Sequence, residues 1–246
     1  MSYWERYFEK IEEILSSVRR KEGEKIRLAA AAIVDCVQAG GNLYIFGCTH
    51  AGILSEEAFY RSGGLALFNP IFFPGLTPQV KPITLTSLLE RQEGLGRLLV
   101  EENRLKKGDL LFLHSVSGRN SVPVEAALYA GERGVKTICI TSLAYSQSVT
   151  PRHSCGKRLF EVCDLVLDNH CPPGDAVVEA AVLGQNIAPA STVSGAAILN
   201  AVVAESAEIF AERGICPPFY LSANRDGGDQ HNREIMNQYG DRIFYL

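Results

Sequence analysis

Ser115, Ser117, Asn120 and Ser121 surround Gly118 in the stretch Ser-Val-Ser-Gly-Arg-Asn-Ser. Short hydroxyl and amide side chains donate hydrogen bonds without ordering a long stem, and glycine lets the backbone approach a ligand closely. An apolar run ends near His114 just before this stretch, and Pro123 suits the first turn of a helix just after it. A helix start carries unpaired N–H groups and the positive end of the helix dipole. Together these features describe a pocket for a phosphate monoester. Composition alone serves an ordinary capped turn equally well, because serine and asparagine are favoured caps. The stretch is not a GxxxxGK[ST] loop. No GxGxxG follows the first apolar run, which argues against a nicotinamide cofactor.

A second distinctive turn, Gly47-Cys48-Thr49-His50-Ala51-Gly52, also lies between an apolar run and a helical pattern. His50 suits contact with phosphate or sugar hydroxyls, and suits a capping or stacking role equally. His153, with Arg152, Ser154 and Lys157 around it, is placed to meet an anion or shuttle a proton, imidazole being readily protonated near neutral pH. A plain surface loop is the alternative there. His231 reaches a site only if the C-terminal tail crosses to a neighbouring copy. His114 and His170, beside strand-like runs, read as structural histidines. Asp175 follows the last such run and faces the same edge, where it is a candidate substrate contact.

These residues need a scaffold. Leu43–Phe46, Leu110–Leu113, Val135–Ile140 and Val162–Leu167 are short, continuous apolar runs separated by helix-length amphipathic segments. That is the pattern of buried parallel strands in βαβ units. The intervening helices are expected over 51–62, 84–105 and 121–133, with a further strand at Leu65–Phe68 and a long helix over 192–213. Ligands in such sheets bind beyond the carboxyl ends of the strands, where both turns fall. Upstream, Trp4, Phe8, Ile11, Leu15 and Val18 form an apolar helical stripe, and a second helix is expected over 24–38. The expected divisions are an N-terminal helical segment over 1–40, a ligand-binding domain over 41–214 and a tail over 215–246.

The 246 residues are 46% hydrophobic and 21% charged, enough for a sizeable core and unlike a disordered chain. A net charge of -4 argues against a broad nucleic-acid footprint, which needs a basic face. No apolar run reaches the ~20 residues of a membrane span, and no secretory signal opens the chain. Seven cysteines without a CxxC pair read as reduced thiols, so a cytoplasmic protein is expected. No ligand set has metal spacing, and neither metal nor cofactor is expected.

Three stretches carry a resemblance to the sugar isomerase (SIS) domain family: NLYIFGCTHAGILSEEA from Asn42, GDLLFLHSVSGRNSVPVEAALYAGERGVKTICITS from Gly108, and EVCDLVLDN from Glu161. The chain most resembles a bacterial SIS subfamily close to the phosphoheptose isomerases. PASTVSGAAILN from Pro189 is similar to the N-acetylmuramic acid 6-phosphate etherases. The resemblance implies a three-layer αβα sandwich around a five-stranded parallel sheet. It implies phosphosugar binding by Ser115, Ser117, Gly118 and Asn120, with Gly47 and Thr49 facing them, and a homodimer or homotetramer packed through the Trp4 stripe. The etherase-like match gives Ser191 and Thr192 a role in binding sugar, beside capping. Both enzyme groups carry a catalytic glutamate ten residues after a first-loop serine; here Ala51 replaces that serine, and the count reaches Arg61.

An aldose–ketose isomerase needs a base to move a proton between adjacent carbons and an acid for the oxygens. Glu56 and Glu57 lie about one helical turn beyond the first loop, and Glu57 is favoured, with His153 and His231 as further candidates. A non-catalytic phosphosugar-binding regulator and a phosphosugar lyase are the alternatives to an isomerase.

Overall fold

The computed structural model describes all of residues 1–246. Five strands form one parallel sheet: β1 (Leu43–Gly47), β2 (Phe68–Pro70), β3 (Leu110–His114), β4 (Lys136–Thr141) and β5 (Leu165–Asp168), in the order β2-β1-β3-β4-β5. Their continuous apolar runs follow from burial on both faces. Leu43, Ile45, Leu110, Phe112, Ile138 and Ile140 face one core. Tyr44, Phe46, Leu111, Leu113 and Cys139 face the other.

The first core is covered by α2 (Gly23–Gln38), α3 (Ile53–Ala58) and α8 (Ser191–Glu212). The second is covered by α5 (Leu95–Glu102) and α6 (Ser121–Glu132). The architecture is therefore the expected αβα sandwich with N-terminal helices. Chain order reverses at β1 and β3. The helix after β1 lies on one face and the helix after β3 on the other, so a crevice opens between the two loops. Helix α8 is long and apolar enough to cross a membrane by composition; here it packs on the sheet beside α2 and α3.

Helix α1 (Tyr3–Lys21) divides the N-terminal stripe. Ile11, Ile14 and Val18 are buried, whereas Trp4 and Phe8 remain 66% and 59% exposed. Buried Glu22, between α1 and α2, accepts from Lys25 Nζ at 2.9 Å and from the Asp168 N–H at 3.2 Å. His170 bridges Glu22 and Asp168, at 3.1 and 3.2 Å. Lys25 and the Asp168 N–H take Glu22 Oε2, and the N–H groups of Leu143 and His170 take Asp168 Oδ1, which leaves Glu22 Oε1 and Asp168 Oδ2 facing the His170 ring.

Several boundaries depart from expectation. The helix expected over 51–62 stops at Ala58, because Tyr60 and Gly63 take left-handed backbone conformations. The helix expected over 84–105 is two, α4 (Thr84–Leu89) and α5, parted at Gly94 with φ +93°. Strand β2 lies at Phe68–Pro70, where the Asn69 amide accepts from the Phe244 N–H and donates to the Arg242 carbonyl. The tail thus folds back along this edge and includes a helix, α9 (Gly228–Tyr239). An antiparallel hairpin of β6 (Ala176–Ala180) and β7 (Gln185–Pro189) fills the connection before α8. A short helix, α7 (Leu143–Gln147), follows β4.

Candidate functional site

The loop between β3 and α6 is held by its carbonyls. The Thr141 hydroxyl donates to the Ser115 and Val116 oxygens at 2.7 and 3.1 Å, and the Ser142 N–H donates to Val116 at 3.0 Å. The Ser146 hydroxyl reaches the Ser117 oxygen at 2.8 Å. The N–H groups of Leu159 and Arg152 reach the Gly118 and Arg119 oxygens at 2.8 and 2.9 Å. Five consecutive carbonyls are therefore taken. The N–H groups of Val116 through Ser121 have no partner in the protein. Gly118 makes this possible: its φ is +58°, and a Cβ there would stand 2.7 Å from the Ser146 hydroxyl. The Ser121 hydroxyl is buried and also unpartnered. A run of free donors at a helix start has the chemistry that suits an anion.

Charged side chains gather at this loop. Glu90 follows α4, and its carbonyl accepts from the Val122 N–H at 3.1 Å, on the first turn of α6. Its carboxyl is raised above the usual range by burial, with Asn120, Arg91 and Arg152 pulling it back. Burial, and then the Glu90 carboxylate, pushes up the thiol of Cys48 in the first loop. Arg152 donates to the Asn120 Oδ1 at 2.6 Å. Arg119 donates to the Thr150 hydroxyl at 3.1 Å, and its Nε is buried without a partner. Sequence reasoning did not single out Glu90 and Arg91; it placed both within one helix over 84–105, and the signal that divides that helix is Gly94 in Glu-Gly-Leu-Gly.

The facing turn is strained. Thr49 has φ +56°, a left-handed conformation rarely taken by a β-branched residue. Gly47 is needed because a Cβ would fall 2.5 Å from the Ala51 oxygen. His50 is exposed at the rim. Buried His114 ties the two loops together through its Nδ1, 3.0 Å from the Ala51 oxygen. Its Nε2 is unpartnered and faces Gly195 of α8. Burial pushes this imidazole down to about 4, so it is neutral at neutral pH.

The structure thus brings Ser115, Ser117, Gly118, Asn120 and Ser121 together opposite Gly47, Thr49 and His50. Asp175 and Ser191 meet at another helix start. The Asp175 carboxylate accepts from the N–H groups of Ala190 and Ser191 at 3.2 and 2.8 Å and from the Ser191 hydroxyl at 2.7 Å. Thr192 is half-buried in the same first turn. His153 lies beside Glu93, 3.9 Å from its carboxylate, on the segment that Arg152 fastens to Asn120. Glu57 is turned elsewhere: it accepts from Arg61 and, at 2.8 Å, from Asn200 of α8. His231 lies 2.9 Å from the Phe219 carbonyl, and Phe219 pairs with Leu65 ahead of β2. That is the opposite edge of the sheet in this chain.

The fold and this edge define a sugar-isomerase-type αβα domain. Residues 6–142 match the SIS domain family, and the chain belongs to it. Similar full-length relatives are UPF0309 proteins of Oceanobacillus iheyensis and Shouchella clausii. Each is 49% identical over 246 residues, covering 100% of both chains. Among solved structures, the phosphoheptose isomerase of Neisseria gonorrhoeae superposes with a TM-score of 0.53 at 16% identity, covering 83% of this chain and 95% of that one. The Francisella tularensis phosphoheptose isomerase gives 0.53 at 15%, covering 85% and 100%. At such identities the likeness is one of fold.

Proposed function

We propose that this chain binds a phosphorylated sugar at the β1–β3 crevice and interconverts its aldose and ketose forms. One observation carries the reading: the unpartnered N–H run from Val116 to Ser121 at the start of α6. The ester oxygens take these N–H groups and the hydroxyls of Ser115, Ser117 and Ser121, with Asn120 at the rim. The sugar extends toward Gly47, Thr49 and His50. In this reading residues 41–214 form the binding domain, with the helical segment 1–40 and the tail 215–246 added to it.

Isomerisation moves a proton between adjacent carbons. Glu90 serves as the base, because a half-buried carboxylate takes a proton more readily than a fully solvated one. His153 serves the sugar oxygens as proton donor. Glu57 joins the chemistry only if Arg61 releases it, and His231 only from a neighbouring copy. The exposed Trp4 and Phe8 are the contact we assign to a homodimer or homotetramer.

Thermal-shift measurement against aldose and ketose phosphates tests binding, since a ligand at a hundredfold excess over its Kd adds about 2.7 kcal/mol. NMR of the bound sugars then tests turnover. Ligands that shift the melting point and interconvert support the isomerase; no shift by any phosphosugar rejects the site. Binding without interconversion selects a second reading, a phosphosugar sensor. That reading is favoured by Arg61, which neutralises Glu57 where the resembling enzymes carry their glutamate.

A further inference from the structure

We propose that Arg119 and Arg152, with Arg91 beside them, select the dianionic form of the phosphate ester. This rests on the Ser115–Ser121 loop being a phosphate site and adds the charge that site requires. Arg119 belongs to the loop itself, and its carbonyl is held by the Arg152 N–H at 2.9 Å. The Arg152 guanidinium holds Asn120, one residue before α6. Arg91 follows Glu90, whose carbonyl anchors the first turn of α6. None of the three guanidinium groups forms an ion pair with a carboxylate. Burial, then repulsion from Arg119 and Arg91, holds Arg152 below its usual range.

The opposing charge is small. Glu90 is the one carboxylate among them. Glu93 is committed to Ser154, accepting from its N–H at 2.7 Å and its hydroxyl at 2.6 Å, and faces His153. Tyr145 also acts on Arg152. Three cations against one anion leave two positive charges unopposed. A phosphate monoester carries a charge near -2 once its second proton is lost, at a pKa of about 6. A tetrahedral monoanion of the same size leaves one guanidinium uncompensated. The N–H run sets the shape of the site, and the arginines set its charge.

Methyl phosphate and methyl sulfate separate the two without requiring the sugar, having similar shape but different charge. The test titrates ¹⁵N-labelled full-length protein with each and follows the amides of Val116–Ser121. Methyl phosphate is expected to bind about tenfold tighter at pH 7.5, the factor one further charge-assisted hydrogen bond supplies. Between pH 7.5 and 5 its affinity falls as the ester gains a proton. Methyl sulfate keeps its single charge over this range, and its affinity does not fall. Arg119→Gln and Arg152→Gln should shrink the preference toward unity, whereas Arg152→Lys, which keeps the charge without the fork, should retain most of it.

Equal affinity for the two esters at pH 7.5, or a preference unchanged in both glutamine variants, overturns the proposal while leaving the anion site intact. Absence of any shift in these amides with either ester rejects the phosphate site itself. Unchanged amide spectra of the free variants establish that the loop has kept its shape.

Discussion

Two helices start at the carboxyl edge of this sheet with serine-rich turns, and they treat their free donors in opposite ways. At α8 the chain closes its own helix: Asp175 receives the Ala190 and Ser191 N–H groups and the Ser191 hydroxyl. At α6 no acidic residue occupies that place. The carbonyls of the loop are all taken, and its N–H groups are left over. Residue types alone do not separate the two, since both are clusters of small polar residues before an apolar helix. The difference is where a carboxylate sits. A self-capped start is architecture; the uncapped one, with Arg119 in its loop and Arg152 on Asn120, is the place proposed for the phosphate.

The largest effect that sharpens this contrast concerns Glu90, the carboxyl beside the open helix start. Glu90→Gln keeps the shape and removes the proposed base. Turnover of the phosphosugar that reacts is expected to fall by about 10²–10⁴, the usual worth of a positioned acid–base group. Binding of the same sugar should hold or tighten, because a negative charge near the phosphate is gone. Steady-state rates and Kd values for the pair of proteins decide it; an unimpaired rate excludes Glu90 as the base.

His114, the last residue of β3, is bonded to the first loop on one side and faces Gly195 of α8 on the other. Its folded value is about 4, against 6.5 for an ordinary imidazole. The unfolded chain therefore binds a proton more readily than the folded one between these values. Stability is undiminished above pH 6.5 and declines as pH falls toward 4, by about 3 kcal/mol from this residue alone. Urea denaturation from pH 7.5 to 4.5 measures the slope, and His114→Gln should flatten it. An equal slope in the variant assigns the acid sensitivity elsewhere.

Gly118 tests the open loop directly. Alanine there must adopt φ +58° and displace the Ser146 hydroxyl that holds the Ser117 carbonyl. A loss of about 1–3 kcal/mol in stability is expected from the strain. Loss of anion binding should accompany it, since the N–H run no longer converges. Denaturant midpoints and amide titration with methyl phosphate report the two effects separately, and parental binding in the alanine variant refutes the role given to this conformation.

The sheet was legible because its strands are buried on both sides. Leu43–Phe46 and Leu110–Leu113 announce themselves as unbroken apolar runs, and the order of runs and helices implies the parallel topology. Strand β2 was displaced because Asn69 and Pro70 owe their place to the returning tail, a contact across more than 170 positions. The core of the candidate site was legible for a different reason: Ser115–Ser121 is contiguous, so no folding needs to be guessed to assemble it. Glu90 and Arg91 were hidden because their position depends on a helix breaking at Gly94 and returning to α6. Glu57 looked well placed by spacing, yet spacing does not reveal that Arg61 and Asn200 engage its carboxylate.

The smallest expected effect bears on Asp175, which sequence reasoning offered as a substrate contact. Two roles make opposite predictions for Asp175→Asn. A cap that accepts from two N–H groups and a hydroxyl gives up its charge–dipole attraction and part of its hydrogen bonding, a loss of about 1 kcal/mol in stability. As a cap alone, the asparagine variant should bind phosphosugar and methyl phosphate with parental Kd values. As a sugar contact, it should weaken phosphosugar binding and leave methyl phosphate untouched, because the phosphate loop is a different helix start. Denaturant midpoints and the two ligand titrations, read together, assign Asp175 to one role or the other. The geometry favours the cap, since its two oxygens already receive three donors from the chain itself.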